Sequence, residues 1–429
     1  MHILITGAEG FIGSALAQAL LARGHRLTLA VRDPARAAKR FPAQRVLAAD
    51  FATDHSPGAW RPRLEGVDAV VNTVGIFREQ GAQTFEAIHA RAPVALFEAC
   101  VDAGVRRVVQ VSALGAAADA PTEFLRSKHA ADAALASLPL SSSVVRPSLV
   151  FAPEGTSARV FLQLAALPLV PLPAGGTQCV QPIHRDDLVA ALVALVEADA
   201  PPPLLAAVGP APLTLREYFV QLRRGLGLGR ARFLPIPRRV METIAVFAEK
   251  MRSNLVDREA LTMLAQGNCA GADGIVHVLG CPPRPATEFI DPREAASLRT
   301  SLQLRWLLPL LRVAVALVWI VTGIVSLGVY PVPESLALLA RVGLHGSFAL
   351  VALYVAAILD LALGIATLAM RRRQWLYAFQ ALVTLGYTAI ITVWLPGYWL
   401  HPYGPVLKNL PLLAALWLLH ALDREEGST

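Results

Sequence analysis

The sequence predicts an α/β fold, a doubly wound parallel sheet with a small, mostly helical lobe, followed by an all-α domain of four membrane-spanning helices. Three observations predict it. Short apolar strand patterns alternate with helix patterns over residues 2–147, as parallel strands joined by right-handed helical crossovers require. The first strand pattern runs directly into three glycines and then a helix pattern. The chain has 429 residues, 55% of them hydrophobic, and a mean hydropathy of +0.49, so it is too long for one ordinary domain and too apolar for a purely soluble one.

The opening strand pattern, residues 2–6, is apolar and β-branched, and glycines follow at Gly7, Gly10 and Gly13. An Ala/Leu-rich helix pattern over 14–23 ends at Gly24. In a strand-turn-helix of this kind Gly7 permits the tight turn, Gly10 lets backbone approach a pyrophosphate, and Gly13 lets helix and strand pack closely. The helix N-terminus then faces the phosphates. The second strand pattern, 26–31, ends at Arg32-Asp33. An acidic residue there accepts ribose hydroxyls, whereas a basic one holds a 2′-phosphate. Arg32 comes first, with Arg36 one turn on, which favours NADP(H); the alternative is Asp33 on the ribose of NAD.

The third strand pattern, 45–49, leads to Asp50-Phe51. The fourth, 68–75, is a near-continuous apolar run of the kind buried on both faces of a parallel sheet, ending Asn72-Thr73-Val74-Gly75. A helix pattern over 84–104 feeds the fifth strand, 107–112, which ends at Ser112.

Through much of its first 300 residues the chain resembles the extended and atypical short-chain dehydrogenases/reductases, a Rossmann-fold family. The resemblance extends to NmrA-like proteins and to the nucleotide-binding accessory subunit of respiratory complex I. The segments TGAEGFIG, VNTVGIF, VSALGA, FLRSK, VVRPSLVF and QPIHRDD carry it. It implies that Gly7, Gly10, Phe11, Ile12 and Gly13 hold the cofactor, that Asp50 and Phe51 lie beside the adenine, and that Thr73 and Gly75 pack under the ribose. Asp50 also fits a helix or turn cap.

The chemistry of the family uses a serine at the end of strand five and a Tyr-x-x-x-Lys on the next helix. Ser112 matches the serine and Lys128 the lysine, which binds the nicotinamide ribose. Phe124 stands in the tyrosine's place and has no proton to give. Two readings follow. Lys128 or Ser112 acts with another group, or the site binds cofactor without turnover.

The lobe is expected over 151–300. It contains the loop Gln181-Pro182-Ile183-His184-Arg185-Asp186-Asp187, where Asp186 can cap a helix and His184 can pack, and which resembles the family's P-x-H-x-x-D loop near the cleft. It also contains a strand-like stretch at 204–208, helix patterns at 214–226, 238–251 and 257–266, and the apolar run Phe233, Leu234, Pro235 and Ile236, which can touch a bilayer or be core.

Four apolar segments follow within 304–423, at 313–330, 344–370, 375–395 and 406–422. The first three are long enough to span a membrane and the last is marginal. Asp360 falls mid-span, where an ionisable group is costly and faces a polar interior or pathway. His345, Trp399 and His401 suit an interfacial belt. The block resembles DoxX-like membrane domains, some relatives of which are linked to quinol chemistry.

Charge sets orientation. Arg293, Arg299, Arg305 and Arg312 before span one, Arg371, Arg372 and Arg373 between spans two and three, and Arg424 after span four lie on one side; Arg341 and Lys408 lie on the other. The positive-inside rule puts the nucleotide domain and both termini in the cytoplasm, in a multi-pass inner-membrane protein. The formal net charge of +7 does not gather into a basic stripe with aromatics, so nucleic acid is not expected as a partner. Cys100, Cys179, Cys269 and Cys281 have neither CxxC pairing nor metal-ligand spacing, so reduced, buried thiols and no metal are expected. The opening apolar run is too short for a signal peptide. These features together imply a membrane-anchored NADP(H)-dependent oxidoreductase whose lipophilic substrate, a quinone or an isoprenoid or fatty carbonyl, comes from the bilayer. The alternative is a nucleotide-binding sensor or assembly factor.

Overall fold

The computed structural model describes residues 1–237, 240, 243, 258–371 and 373–423. The helix expected over 238–251, apart from residues 240 and 243, and the arginines Arg372 and Arg424 lie outside the described residues. The chain divides into two units, Met1–Thr300 and Ser301–Thr429.

The first unit is built on a seven-stranded, all-parallel sheet. Its strands in chain order are β1 (His2–Thr6), β2 (Arg26–Val31), β3 (Arg45–Ala48), β4 (Ala69–Asn72), β5 (Arg107–Val111) and β6 (Ser141–Pro147), with Leu204–Ala207 as the seventh. Leu204–Ala207 sits outside β6, followed across the sheet by β5, β4, β1, β2 and β3. The order reverses between β1 and β4, so the crevice at their carboxyl ends is where a doubly wound sheet binds its ligand. The central strands are buried on both faces: Ile3, Ile5 and Val71 meet Leu16, Leu20 and Leu192 on one side, and Leu4, Val70 and Val108 meet Trp60, Phe97 and Leu135 on the other. That burial explains their uninterrupted apolar runs.

Two expectations change. The stretch assigned to the lobe at 204–208 completes the main sheet, because its register with β6 (Leu204 beside Val144) extends the parallel ladder. The lobe is mostly helical among its described residues, as expected, and also holds short paired strands. Short strands pair within it: Val150–Phe151 with Ile183–His184, Cys179–Val180 with Leu213–Thr214, and Val170–Pro173 with Phe233–Ile236. The apolar run Phe233–Ile236 is thus an edge strand, its side chains half-buried or exposed. The expected reduced thiols are also corrected. Cys179 and Cys269 are joined by a disulfide across 90 residues, Cys281 is exposed, and of the four only Cys100 is a buried free thiol.

Three helices are long and apolar enough to cross a membrane: Pro292–Ile324 with its π-helical extension to Val329, which begins in the first unit, and Gly346–Ala369 and Gln374–Trp394 in the second. The first two approach closely. A Cβ on Gly323 would lie 2.8 Å from the Ala357 carbonyl, and one on Gly364 would lie 2.9 Å from that of Ala316. Small residues at such a crossing let apolar helices gain packing where lipid offers no hydrophobic drive. The expected fourth span is Asn409–Leu422, 14 residues and about 21 Å long, short of the ~30 Å hydrocarbon core. It runs back along the third helix, with Asn409 donating to Thr388 at 2.8 Å and Tyr377 donating to Asp423 at 2.6 Å. Asp360 is buried and accepts from the Tyr387 hydroxyl at 3.3 Å.

Candidate functional site

The site begins at the turn after β1. Gly7 has φ +74°, which suits glycine. The Gly10 amide donates to the Gly7 carbonyl at 2.9 Å, and the helix α1 (Gly13–Ala22) starts at once. Gly13 is held tightest: a Cβ there would sit 2.2 Å from the Gly7 carbonyl oxygen and 2.6 Å from Thr73 Oγ1. Thr73 in turn donates to the Thr6 carbonyl at 2.7 Å, tying the end of β4 to the turn. Beneath them a buried relay runs from the Thr6 hydroxyl to Asn72 at 2.5 Å and from the Asn72 amide to Gln110 at 2.7 Å. Sequence reasoning missed this floor, since its members are ordinary polar residues inside strands.

One cleft is lined together by Gly7, Gly10, Arg32, Asp50, Phe51, Thr73 and Gly75, with Glu9, Ile76 and Gln83. At its outer end Arg32 is exposed, while Asp33 accepts from the Arg36 amide at 3.0 Å as the cap of α2 (Pro34–Arg40). Asp50 lines the cleft and also closes a turn, accepting from the Ala52 amide at 2.9 Å. Phe51 is buried edge-on against Trp60. Phe11 and Ile12 do not line the cleft. Phe11 turns toward the lobe, where a Cβ on Gly155 would lie 2.9 Å from its ring and the Arg185 guanidinium sits 5.5 Å from its centroid.

At the inner end the helix Glu123–Ser137, capped by Thr122, carries Phe124 and Lys128. Lys128 Nζ donates to the carbonyls of Val74 and Val111, each at 3.3 Å, and lies 3.0 Å from where a Gly75 Cβ would be. Burial pushes the Lys128 ammonium down to about 8, with the Asp132 carboxylate opposing the shift. Ser112 is placed differently from its expected role. Its hydroxyl donates to Asp132 at 2.7 Å, the same carboxylate oxygen that accepts from Arg146 at 3.0 and 3.1 Å, so Ser112 reaches a substrate oxygen only by leaving Asp132. Burial raises the Asp132 carboxyl against the pull of Ser112 and Arg146.

His89 is the second residue that sequence reasoning missed. It lies in the π-helical stretch Glu86–Arg91, inside what reads as one long helix. Its Nε2 accepts from the Ile76 amide at 3.0 Å, so the ring is held neutral with its proton on Nδ1 facing Ser127 at 3.0 Å, and the Ser127 hydroxyl in turn donates to the Phe124 carbonyl. Burial first, and Lys128 second, press its pKa down to about 2. His89 therefore anchors the Gly75-Ile76 loop and carries no charge. Around it Phe124 stacks on the exposed Phe77 at 5.4 Å and meets Phe85 and His89 edge-on, giving an aromatic wall without a proton donor. In the Gln181–Asp187 loop the cap is His184, accepting from the Asp186 amide at 3.2 Å, while Asp187 holds Arg284. Among the described residues no cluster could hold a metal ion.

The crevice position, the Cβ-excluding turn and the lysine under Gly75 fit a dinucleotide along the strand ends. Comparison with known proteins agrees. Residues 7–199 match the NAD(P)H-binding family and residues 316–417 the DoxX-like family. The chain is 31% identical over 264 residues to the 3-diazoavenalumate denitrifying reductase of a Streptomyces species, spanning 55% of this chain and 84% of that one. It is 31% identical over 194 residues to the ceramide reductase of Caulobacter vibrioides, 45% of this chain and 60% of that one. It is 29% identical over 208 residues to the mitochondrial NADH dehydrogenase 1 alpha subcomplex subunit 9 of Arabidopsis thaliana, 46% of this chain and 50% of that one. The chain thus spans only 60% and 50% of the last two relatives' lengths.

Among solved structures, a nucleoside-diphosphate-sugar epimerase from Staphylococcus aureus superposes with TM-score 0.56 at 16% identity, over 67% of this chain and 99% of the other. An NADPH-dependent quinone oxidoreductase from Escherichia coli gives 0.54 at 19%, over 67% and 97%. Both likenesses establish the fold. The first unit is an NAD(P)-binding, epimerase-like Rossmann domain. The chain belongs to the NAD(P)H-binding family and carries a DoxX-like membrane domain behind it.

Proposed function

We propose that this protein is a membrane-anchored, NADP(H)-dependent oxidoreductase of the atypical short-chain dehydrogenase type, acting on a lipophilic quinone or an isoprenoid or fatty carbonyl compound. The observation that carries it is the pairing of a complete cofactor crevice with an apolar helical unit. Bound nicotinamide supplies a hydride. Gly7, Gly10 and Gly13 let the turn and the N-terminus of α1 come close to the pyrophosphate without a Cβ in the way, Lys128 holds the nicotinamide ribose, and the Phe77–Phe124 wall lines the acceptor side. Ser112 serves as a positioning residue through Asp132 unless substrate displaces that bond. The names of the two reductase relatives support reduction of an organic acceptor; the lipophilic class rests on the membrane unit.

Arg32 carries the preference for NADP(H), because Asp33 is engaged by α2 and leaves the ribose-facing edge to the guanidinium. Arg32→Ser is expected to weaken NADPH about tenfold, the worth of one charge-assisted phosphate contact, and to leave NADH within about twofold. Equal loss for both cofactors, measured by nicotinamide fluorescence titration, would remove Arg32 from the 2′-phosphate. In the purified full-length protein in detergent, enhanced NADPH fluorescence that decays on adding a membrane lipid extract is the expected result.

A second reading, a nucleotide-binding sensor or assembly factor, draws on Phe124. Phe124→Tyr restores a hydroxyl one helical turn from Lys128 and discriminates the two. Decay with lipid in the original protein, quickened in Phe124→Tyr, supports the reductase. Bound NADPH that persists in both proteins supports the sensor.

The orientation proposed puts both termini and the nucleotide domain in the cytoplasm of a multi-pass inner-membrane protein. Arg312 and Arg373 converge on Asp423 at one end of the helical unit, at 2.6 and 3.9 Å, and this clustering supports the orientation proposed.

A further inference from the structure

We propose that Cys179 and Cys269 are a thiol–disulfide exchange site, operated by a small thiol of the glutathione type, which pins a lid helix over the aromatic end of the cleft. The lid's relation to substrate rests on the nucleotide-site reading above, and the exchange site rests only on the cytoplasmic orientation proposed with it.

The two cysteines lie 90 residues apart with Cα atoms 6.2 Å from each other, and both are half-buried, so a small thiol can reach the bond. Around them the chain is laid side by side. The Asn268 amide donates to the Cys179 carbonyl at 2.8 Å, Asn268 Oδ1 accepts from the Leu149 amide at 2.9 Å, and the Ala270 amide donates to Gln181 Oε1 at 3.0 Å. Directly before this clasp stands the helix Arg258–Gln266. Its Met263 packs against Phe85, Phe124 and Leu125, and Glu259 accepts from the Glu123 amide at 3.3 Å, at the start of the helix that carries Phe124 and Lys128. The disulfide therefore fixes the carboxyl end of a helix that packs on the Phe85–Phe124 wall.

In the orientation proposed above the disulfide faces the cytoplasm, where it is not maintained passively, because the thiol pool reduces accessible bonds. Its state follows the poise. One thiolate attacks either sulfur and forms a mixed disulfide; a second thiol displaces it, releasing Cys179 and Cys269 as thiols and the small disulfide, two electrons and two protons in all. Oxidised small disulfide runs the same steps backward. The other cysteines stay outside this pair: the Cys100 thiol is buried and pushed up to about 12, and Cys281 has no partner cysteine among the described residues.

The test uses the full-length protein in detergent, equilibrated in glutathione buffers from fully reduced to fully oxidised, then alkylated and read by peptide mass spectrometry. Hydrogen exchange is measured on the same samples. A single two-electron transition involving Cys179 and Cys269 is expected, with exchange across 258–272 about tenfold faster in the reduced state and α1 unchanged. Cys179→Ser should exchange like the reduced protein at every poise, and Cys281→Ser should leave the transition in place. Thiols open to alkylation at all poises, or equal exchange in both states, would overturn the proposal. Absence of NADPH binding would instead remove the nucleotide-site reading and leave the exchange result standing.

Discussion

Gly13→Val is expected to abolish NADPH binding while leaving the helical membrane unit folded. A Cβ at this position meets the Gly7 carbonyl oxygen at 2.2 Å and Thr73 Oγ1 at 2.6 Å, both far inside van der Waals contact. The carbonyl is backbone and cannot swing aside, so α1 must lift from β1 and the turn must open. Overpacking of this kind costs about 3 kcal/mol, which alone weakens a ligand about a hundredfold if the strain falls on the binding turn. Nicotinamide fluorescence and thermal unfolding together check it. Binding retained within threefold would mean that the turn does not touch the pyrophosphate.

Lys128→Met is expected to weaken NADPH by about tenfold or more, since a charged hydrogen bond contributes about 1.5–3 kcal/mol, and to flatten the pH dependence of binding. The sign follows from burial. The Lys128 ammonium titrates near 8 in the folded chain against 10.5 when free, so between those values the unfolded chain holds the extra proton. Native stability therefore rises with pH across that window, and below pH 8 the buried charge costs on the order of 3 kcal/mol. Cofactor affinity runs the other way, falling as pH rises through about 8 and the ammonium is lost. Methionine keeps the volume and drops the charge, so the variant should be more stable than the original at pH 7 yet bind less. His89, kept neutral in the fold chiefly by burial at about 2 against 6.5 when free, adds no slope to cofactor binding but makes native stability fall as pH drops below about 6.5, where the unfolded chain binds a proton that the folded chain does not. A variant with unchanged affinity at pH 7 and unchanged pH profile would take Lys128 out of the ribose site.

Much of the cleft was legible because its requirements are local. A strand, a turn that tolerates no Cβ and a helix start lie within thirteen consecutive residues, and Arg32 and Asp50-Phe51 stand at strand ends whose position the alternation of elements sets. Lys128 was legible by its spacing from Phe124. The Ser112 hydroxyl was not, because the choice between cleft and Asp132 depends on Arg146, a residue of another strand. His89 was hidden for a similar reason: the π-helical turn that aims it at Ile76 leaves no periodic trace in the apolar pattern.

The first 300 residues and the apolar segments after them show how the two kinds of information divide. The sequence by itself determined the doubly wound sheet, the glycine turn and the membrane helices, since each follows from periodicity, from Cβ sterics or from the length of an apolar run. Only the tertiary structure decided that Leu204–Ala207 joins the main sheet, that the helix Asn409–Leu422 is too short to match its neighbours, and that Cys179 meets Cys269 across 90 residues. Those outcomes turn on contacts between segments far apart in the chain, and no local preference of either segment records which partner it will meet.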